Sequence, residues 1–228
     1  MKQTTLLSLH KWTGVVVGIQ FLIWSVTGLY FSLTGNLVLS SQQHQTGVHS
    51  APPRPFNVAE WHPPFENMTS ATLRNIAGLN QWVVTFAEEH TQWFQSQSGR
   101  TWKTDSETAK TVASASYDGP GKLTGIRYFE NGYPALISEE ITSESAAVYE
   151  VAFDDGLSTR VYVSEQSGQV VAHRNRWSTL HDWAFRLHFM DYNGGKNFNN
   201  PLTWVFAAGM LWFIFTGLWI LKRIYFRR

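Results

Sequence analysis

The chain has 228 residues, 43% of them hydrophobic, with a formal net charge of +1 and no cysteine. That length allows one sizeable domain plus a membrane part, and nothing in the charge balance points to nucleic acid as a partner. Without cysteine there are no disulfides and no thiolate ligands, so histidine, oxygen groups or methionine must hold any metal or cofactor.

The first organising stretch is LLSLHKWTGVVVGIQFLIWSVTGLYFSL, residues 6–33, which carries no charge from Val15 to Leu33. A hydrocarbon core of about 30 Å needs roughly 20 apolar residues as helix, so this run predicts a membrane helix over 8–33. The run is longer than a secretory signal core of roughly 7–15 residues and no A-x-A site follows, so the helix is expected to be retained. His10, Gly14 and Gly18 recur at i, i+4 and i+8, one face that drifts by about 40° per step. A histidine above two glycines predicts a flat ligand or a closely packed partner helix on that face.

Residues 36–66 are rich in Pro, Ser, Gln and His and read as a connector. His44, His49 and His62, with Glu60 and Glu66, form a loose set of nitrogen and oxygen groups that a hard metal such as Fe³⁺ would accept. No tight ligand spacing is present, and a solvated linker is the plainer reading.

Alternating apolar runs bounded by turn residues then predict strands at 81–86, 91–95, 123–129, 147–153 and 159–163. Residues 81–103 can be laid over 147–171: each is a strand, a short acidic turn, a second strand, then Gln-Ser-Gly and a third strand. Residues 106–115 carry helical propensity. Two related antiparallel α+β units, roughly 56–104 and 105–175, are expected.

Residues 177–192 (WSTLHDWAFRLHFMDY) place Leu180, Trp183, Ala184, Leu187 and Met190 at helical spacing, with Ser178 as expected N-cap and Asn193-Gly194-Gly195 as expected stop. Trp and Phe suit this amphipathic helix to a membrane interface. Its His181 and His188 lie two turns apart, about 10.5 Å by helical rise, too far to grip one iron from opposite sides. Residues 201–221 form a second charge-free run, closed by Lys222, Arg223, Arg227 and Arg228.

The predicted organisation is an N-terminal membrane helix (1–34), an α+β domain (35–175), an interfacial helix (176–194) and a C-terminal membrane helix with a basic tail (200–228). Six basic residues and no acidic one lie outside 35–200, and the loop between holds all 17 acidic residues. The positive-inside rule then puts both termini in the cytoplasm and the loop on the far side, periplasmic for a bacterial inner membrane. No H-E-x-x-H, G-x-G-x-x-G, phosphate loop or Ser/His/Asp arrangement appears, so hydrolase chemistry and a nucleotide-binding domain have no support.

Leu9-His10-Lys11-Trp12-Thr13-Gly14, residues 161–170 (VYVSEQSGQV), Leu187-His188-Phe189 and the two Thr-Gly-Leu units at 27–29 and 216–218 together resemble the PepSY-associated transmembrane family of bacterial inner-membrane proteins. The resemblance covers nearly the whole chain. It implies a membrane α-helical anchor of two helices per chain plus a periplasmic α+β domain of PepSY-like antiparallel units. Members include haem b ferric and ferric-siderophore reductases, so it implies haem b, ligated by His10 and His188, with His181 as a ligand or redox-exit group. Arg186 and Lys196 would pair with the propionates. Two helices offer too few walls for a haem, so a homodimer is expected, a four-helix bundle packed partly through Gly14 and Gly18. A ligand imidazole needs an acceptor for its other ring N–H, and for His10 this would come from the second membrane helix or the partner chain. The implied activity is electron transfer from quinol or a cytoplasmic donor to periplasmic ferric iron or a ferric chelate, feeding a ferrous transporter. The alternative is a non-enzymatic, membrane-tethered binding or regulatory module without cofactor.

Overall fold

A computed structural model describes residues 3–34, 44–46, 66–87, 90–132, 147–192 and 200–225. In chain order the elements are α1 (Gln3–Leu33), β1 (Met68–Ile76), β2 (Leu79–Phe86), β3 (Thr91–Gln95), α2 (Ser106–Ser116), β4 (Lys122–Phe129), β5 (Val148–Asp154), β6 (Arg160–Ser164), β7 (Val170–Arg174), α3 (Arg176–Phe189) and α4 (Pro201–Tyr225). Two compact units result, one built of α1, α4 and most of α3, the other of the strands and α2.

In the first unit, α1 and α4 are both long and apolar enough to cross a membrane. At 1.5 Å per residue their 31 and 25 residues span about 46 and 37 Å, more than a hydrocarbon core of about 30 Å. Most of their large apolar side chains point outward: Leu22, Val26, Val205 and Phe215 are all exposed. The buried positions are polar or small instead, with Gln20, Thr27 and Thr216 turned inward beside Val17. This inverts a water-soluble pattern and suits helices that meet lipid outside and each other inside.

The second unit holds two antiparallel sheets, β1-β2-β3 and β4-β5-β6-β7. β1 is a strand that the sequence pattern did not predict. Its residues MTSATLRNI are mostly polar because it lies at a sheet edge, and backbone pairing with β2 holds it rather than alternating burial. Ala77 and Gly78 both take positive φ, 50° and 87°, and form the two-residue turn that sets Ile76 opposite Leu79.

The two Gln-Ser-Gly segments form the same turn. Gly99 and Gly168 have φ of 64° and 69°, where glycine avoids the Cβ clash. In one, Gly99 N donates to Gln95 O and Gln95 N to Arg100 O; in the other, Gly168 N donates to Ser164 O and Ser164 N to Gln169 O. The repeat therefore holds in the hairpins. It differs in extent, because the second unit adds a fourth strand and the preceding helix α2.

The second turn also fastens the sheets together. Gln81, fully buried, donates from Nε2 to Ser167 O at 3.0 Å, and Thr104 N donates to Glu165 O at 2.8 Å. One core results: Ile76, Val83, Trp93 and Trp102 meet Val151, Phe153, Val161 and Val163, with Ala109, Val112 and Ala113 of α2. Burying each such valine contributes roughly 1.5–3 kcal/mol. Helix α2 starts where Asp105 accepts a bond from Thr108 N at 2.8 Å, and its small residues at i, i+3 and i+4 let it lie close on the sheet.

Helix α3 begins and ends earlier than its sequence predicts. Asn175 is the cap: its Oδ1 accepts from Trp177 N at 2.8 Å and Ser178 N at 3.2 Å, while Ser178 Oγ accepts from Asn175 N. Ser178 thus completes the cap from inside the helix. At the other end Met190 takes φ 52° and Asp191 N donates to Arg186 O, a left-handed closure that a buried methionine adopts in place of glycine. Residues 193–195 lie outside the described part.

Candidate functional site

The site is built at the two ends of α1. Near its N-terminal end, His10 stacks flat on Phe213 of α4, with ring centroids 4.5 Å apart and planes 5° from parallel. Its Nδ1 lies 2.8 Å from Thr216 Oγ1. The next residue is Gly217, where a Cβ would stand 3.3 Å from His10 Cε1, so the missing side chain lets the imidazole lie close to the helix backbone.

Near the C-terminal end of α1 the same arrangement recurs with different helices. His188 of α3 sets Nδ1 2.7 Å from Thr27 Oγ1, and a Cβ at Gly28 would stand 3.7 Å from His188 Cε1. Phe31 presents its ring at an edge to both His188 and His181, at 5.6 and 5.4 Å. The final carbonyls of α3, which have no partner within the helix, are taken by side chains of α1 and of Asn200, which precedes α4. Gln20 Nε2 donates to Leu187 O at 3.3 Å, Trp24 Nε1 to His188 O at 2.6 Å, and Asn200 Nδ2 to Phe189 O at 2.9 Å. These three bonds fix the end of α3 that carries His188.

Of the sequence-predicted residues, His10 and His188 each gain a threonine and a glycine from a facing helix. They do not meet: the 17 residues from His10 to Thr27 set the two imidazoles about 25 Å apart along α1. Gly14 is occupied within the chain, since a Cβ there would come 2.7 Å from Phe213 Cε2. Around Gly18 no atom of a neighbouring element among the described residues comes within 4 Å of where a Cβ would stand. Steps of four residues drift off the contact line, which passes through Val17 instead; that valine meets Gly209 of α4. Arg186 is half-buried on α3 two residues before His188. Lys196, His49 and His62 lie outside the described residues. His44 turns a ring edge to Tyr117 in the sheet unit, and no group of three metal-ligating side chains forms among the described residues.

Thr27, Thr216, Gly28, Gly217 and Phe213 carry the geometry, and no catalytic motif marked them. The signal that was available is the repeated Thr-Gly-Leu, one copy per membrane helix.

Neither Nε2, of His10 or of His188, has a hydrogen-bond partner among the described residues. An imidazole with one ring nitrogen held and the other free is the donor a haem iron takes, so the residues present fit that group. The sheet unit has its own concavity, a cleft of about 450 Å³ lined by Leu79, Asn80, Gln97, Trp102, Lys103 and Asp105 among others. Lys103 is paired there with Glu165 at 3.1 Å.

Two membrane-length helices with an antiparallel α+β domain between them in sequence define a membrane-anchored protein. The chain belongs to the family described as PepSY-associated TM region, whose model it matches over residues 7–228. No curated protein and no solved structure matches the chain.

Proposed function

We propose that this is a haem b protein of a bacterial inner membrane that passes electrons outward to reduce ferric iron, free or chelated, for ferrous uptake. The observation that carries the reading is the pair of imidazoles near opposite ends of a membrane-length helix, each held at Nδ1 by a threonine with Nε2 unpartnered among the described residues. Haem bound there would supply a one-electron Fe³⁺/Fe²⁺ couple. His10 and His188 would each hold a haem through Nε2, with Phe213 and Phe31 packed beside them and Arg186 near enough to His188 to answer propionate charge. The two sites stand on either side of the bilayer centre, and the basic flanks orient the His10 end toward the cytoplasm and its donor. One quinol gives two electrons and two protons, enough to reduce two ferric ions to ferrous. His10 is the single histidine at its end among the described residues, so a second copy of the chain would supply any further nitrogen for the group held there. Gly14 is filled by Phe213, which leaves the open Gly18 surface for that dimer.

The deciding measurement is a visible spectrum of purified protein from cells supplied with haem. A Soret band that disappears in His10→Ala or His188→Ala, with loss of cellular ferric reduction, supports the reading. Wild-type protein without a Soret band overturns it. The cleft beside Lys103 and Asp105 favours a second reading, a tethered binding or regulatory module that takes a polar ligand and no cofactor. That reading requires the colourless result.

A further inference from the structure

We propose that Thr216 and Thr27 are positioning residues that hold His10 and His188 in the Nδ1–H tautomer and thereby present both Nε2 lone pairs outward. The proposal rests on the haem reading only for what those lone pairs serve; the tautomer is a property of the chain itself.

A threonine hydroxyl has one proton. Thr216 Oγ1 lies 2.8 Å from Trp212 O and 3.1 Å from Phe213 O, carbonyls that can only accept. With its proton serving its own helix, the oxygen faces His10 as an acceptor, and His10 Nδ1 then carries the hydrogen. Thr27 repeats the logic, donating to Ile23 O at 2.7 Å and accepting from His188 Nδ1. The opposite tautomer would require each threonine proton to turn from its own helix carbonyl to the imidazole, giving up the bond to Trp212 O or Ile23 O.

Free histidine side chains prefer the Nε2–H form, which has no lone pair at Nε2. The threonines reverse that preference, by about tenfold if each bond contributes the upper end of the usual net range. At Gly217 the absent Cβ, which would stand 3.3 Å from His10 Cε1, leaves the ring its room, while at Gly28 a Cβ would only touch His188 at 3.7 Å. The same unit does this twice, from α4 for a histidine of α1 and from α1 for a histidine of α3.

With haem bound, an accepting oxygen at Nδ1–H makes the imidazole a stronger donor, which favours ferric over ferrous iron and lowers the midpoint potential. Valine keeps threonine's shape and removes the acceptor. The test uses full-length protein in detergent with isotope-labelled histidine, observed by ring-nitrogen NMR without haem at about pH 8, above the ordinary histidine pKa. His10→Ala and His188→Ala assign the signals. Both histidines should be Nδ1–H; Thr216→Val should shift His10 alone toward Nε2–H by about tenfold, Thr27→Val should shift His188 alone, and serine at either position should restore the wild-type form. In haem-loaded protein each valine variant should keep its Soret band and show a raised midpoint potential. Either wild-type histidine in the Nε2–H form, or valine variants with unchanged tautomers, overturns the proposal. A variant that fails to insert leaves the wild-type spectrum to decide. Nδ1–H tautomers in a protein that takes up no haem would uphold this inference while defeating the proposed function.

Discussion

His10 and Thr216 are 206 residues apart in sequence and 2.8 Å apart in space, Nδ1 to Oγ1. This contact ties the first turns of one membrane helix to the last turns of the other. Phe213, one turn before Thr216, stacks on the same imidazole and fills the gap above Gly14. Helix pairing and the placement of His10 are therefore one packing problem, and a change that separates the helices should disturb His10.

Gly14→Ala and Gly18→Ala should differ. A Cβ at Gly14 comes 2.7 Å from Phe213 Cε2, so the ring must leave His10 or the helices must part, at a cost of about 1–3 kcal/mol. A Cβ at Gly18 meets nothing within 4 Å among the described residues. Denaturation of purified protein in detergent should show loss for Gly14→Ala and no loss for Gly18→Ala. Gly18→Ala should instead weaken self-association, because that face is the one proposed for a second copy, and unchanged association would remove Gly18 from the proposed interface.

Gln20→Leu should loosen α3 although it makes α1 more apolar. Gln20 is buried and donates to Leu187 O; leucine leaves that carbonyl without its donor, a cost of about 1–3 kcal/mol. Trp24→Phe should do the same at His188 O. Faster hydrogen exchange at the end of α3, with α1 still inserted, is the expected result. Unchanged exchange in both variants would mean these bonds do not hold the helix.

The sheet unit should lose stability as pH falls below about 6.5, the ordinary histidine value. His173 is buried, and burial lowers its pKa to about 4 against a small opposing pull from Asp118. Its Nε2 lies 3.1 Å from Ser116 Oγ, whose proton goes to Ala113 O, and its Nδ1 has no hydrogen-bond partner among the described residues. Between about 6.5 and 4 the unfolded chain binds a proton that the folded chain refuses, so stability drops as pH falls, by up to about 3 kcal/mol. Denaturation at neutral and acid pH, followed by fluorescence of the buried Trp93 and Trp102, reads this out. His173→Gln should flatten the dependence, and an unchanged slope in that variant would refute the assignment.

Gly168→Ala should be among the costlier single changes in the sheet unit. Its φ of 69° disfavours any Cβ, and the added atom would come 3.0 Å from Ile76 Cγ2 and 3.2 Å from Thr104 Oγ1, where the two sheets join. Backbone strain and crowding together predict a loss of about 2–4 kcal/mol. Gly156→Ala, with open space around it, should stay within about 0.5 kcal/mol. Equal thermal midpoints for the two variants would contradict this account.

Much of the architecture was legible because its causes are local. Charge-free runs give the membrane helices, alternation gives β2 to β6, and Gln-Ser-Gly gives both matching turns. β1 was not legible, since a polar edge strand is defined by the partner that pairs with it. The end of α3 was misread for a related reason: Asn193-Gly194-Gly195 is a sound local stop, yet carbonyl capping by Gln20, Trp24 and Asn200 supports an end at Phe189.

The candidate site divides in the same way. By itself the sequence determined that His10 stands near one end of a membrane helix, that His188 stands before the other, and that each membrane helix holds a Thr-Gly-Leu. Only the tertiary structure decided which histidine meets which threonine. Helical periodicity places residues on a face of their own helix, but it carries no information about the register of one helix against another. That register is set by contacts such as Phe213 over Gly14 and Gly209 against Val17, and through it by which hydroxyl lies within reach of which ring nitrogen.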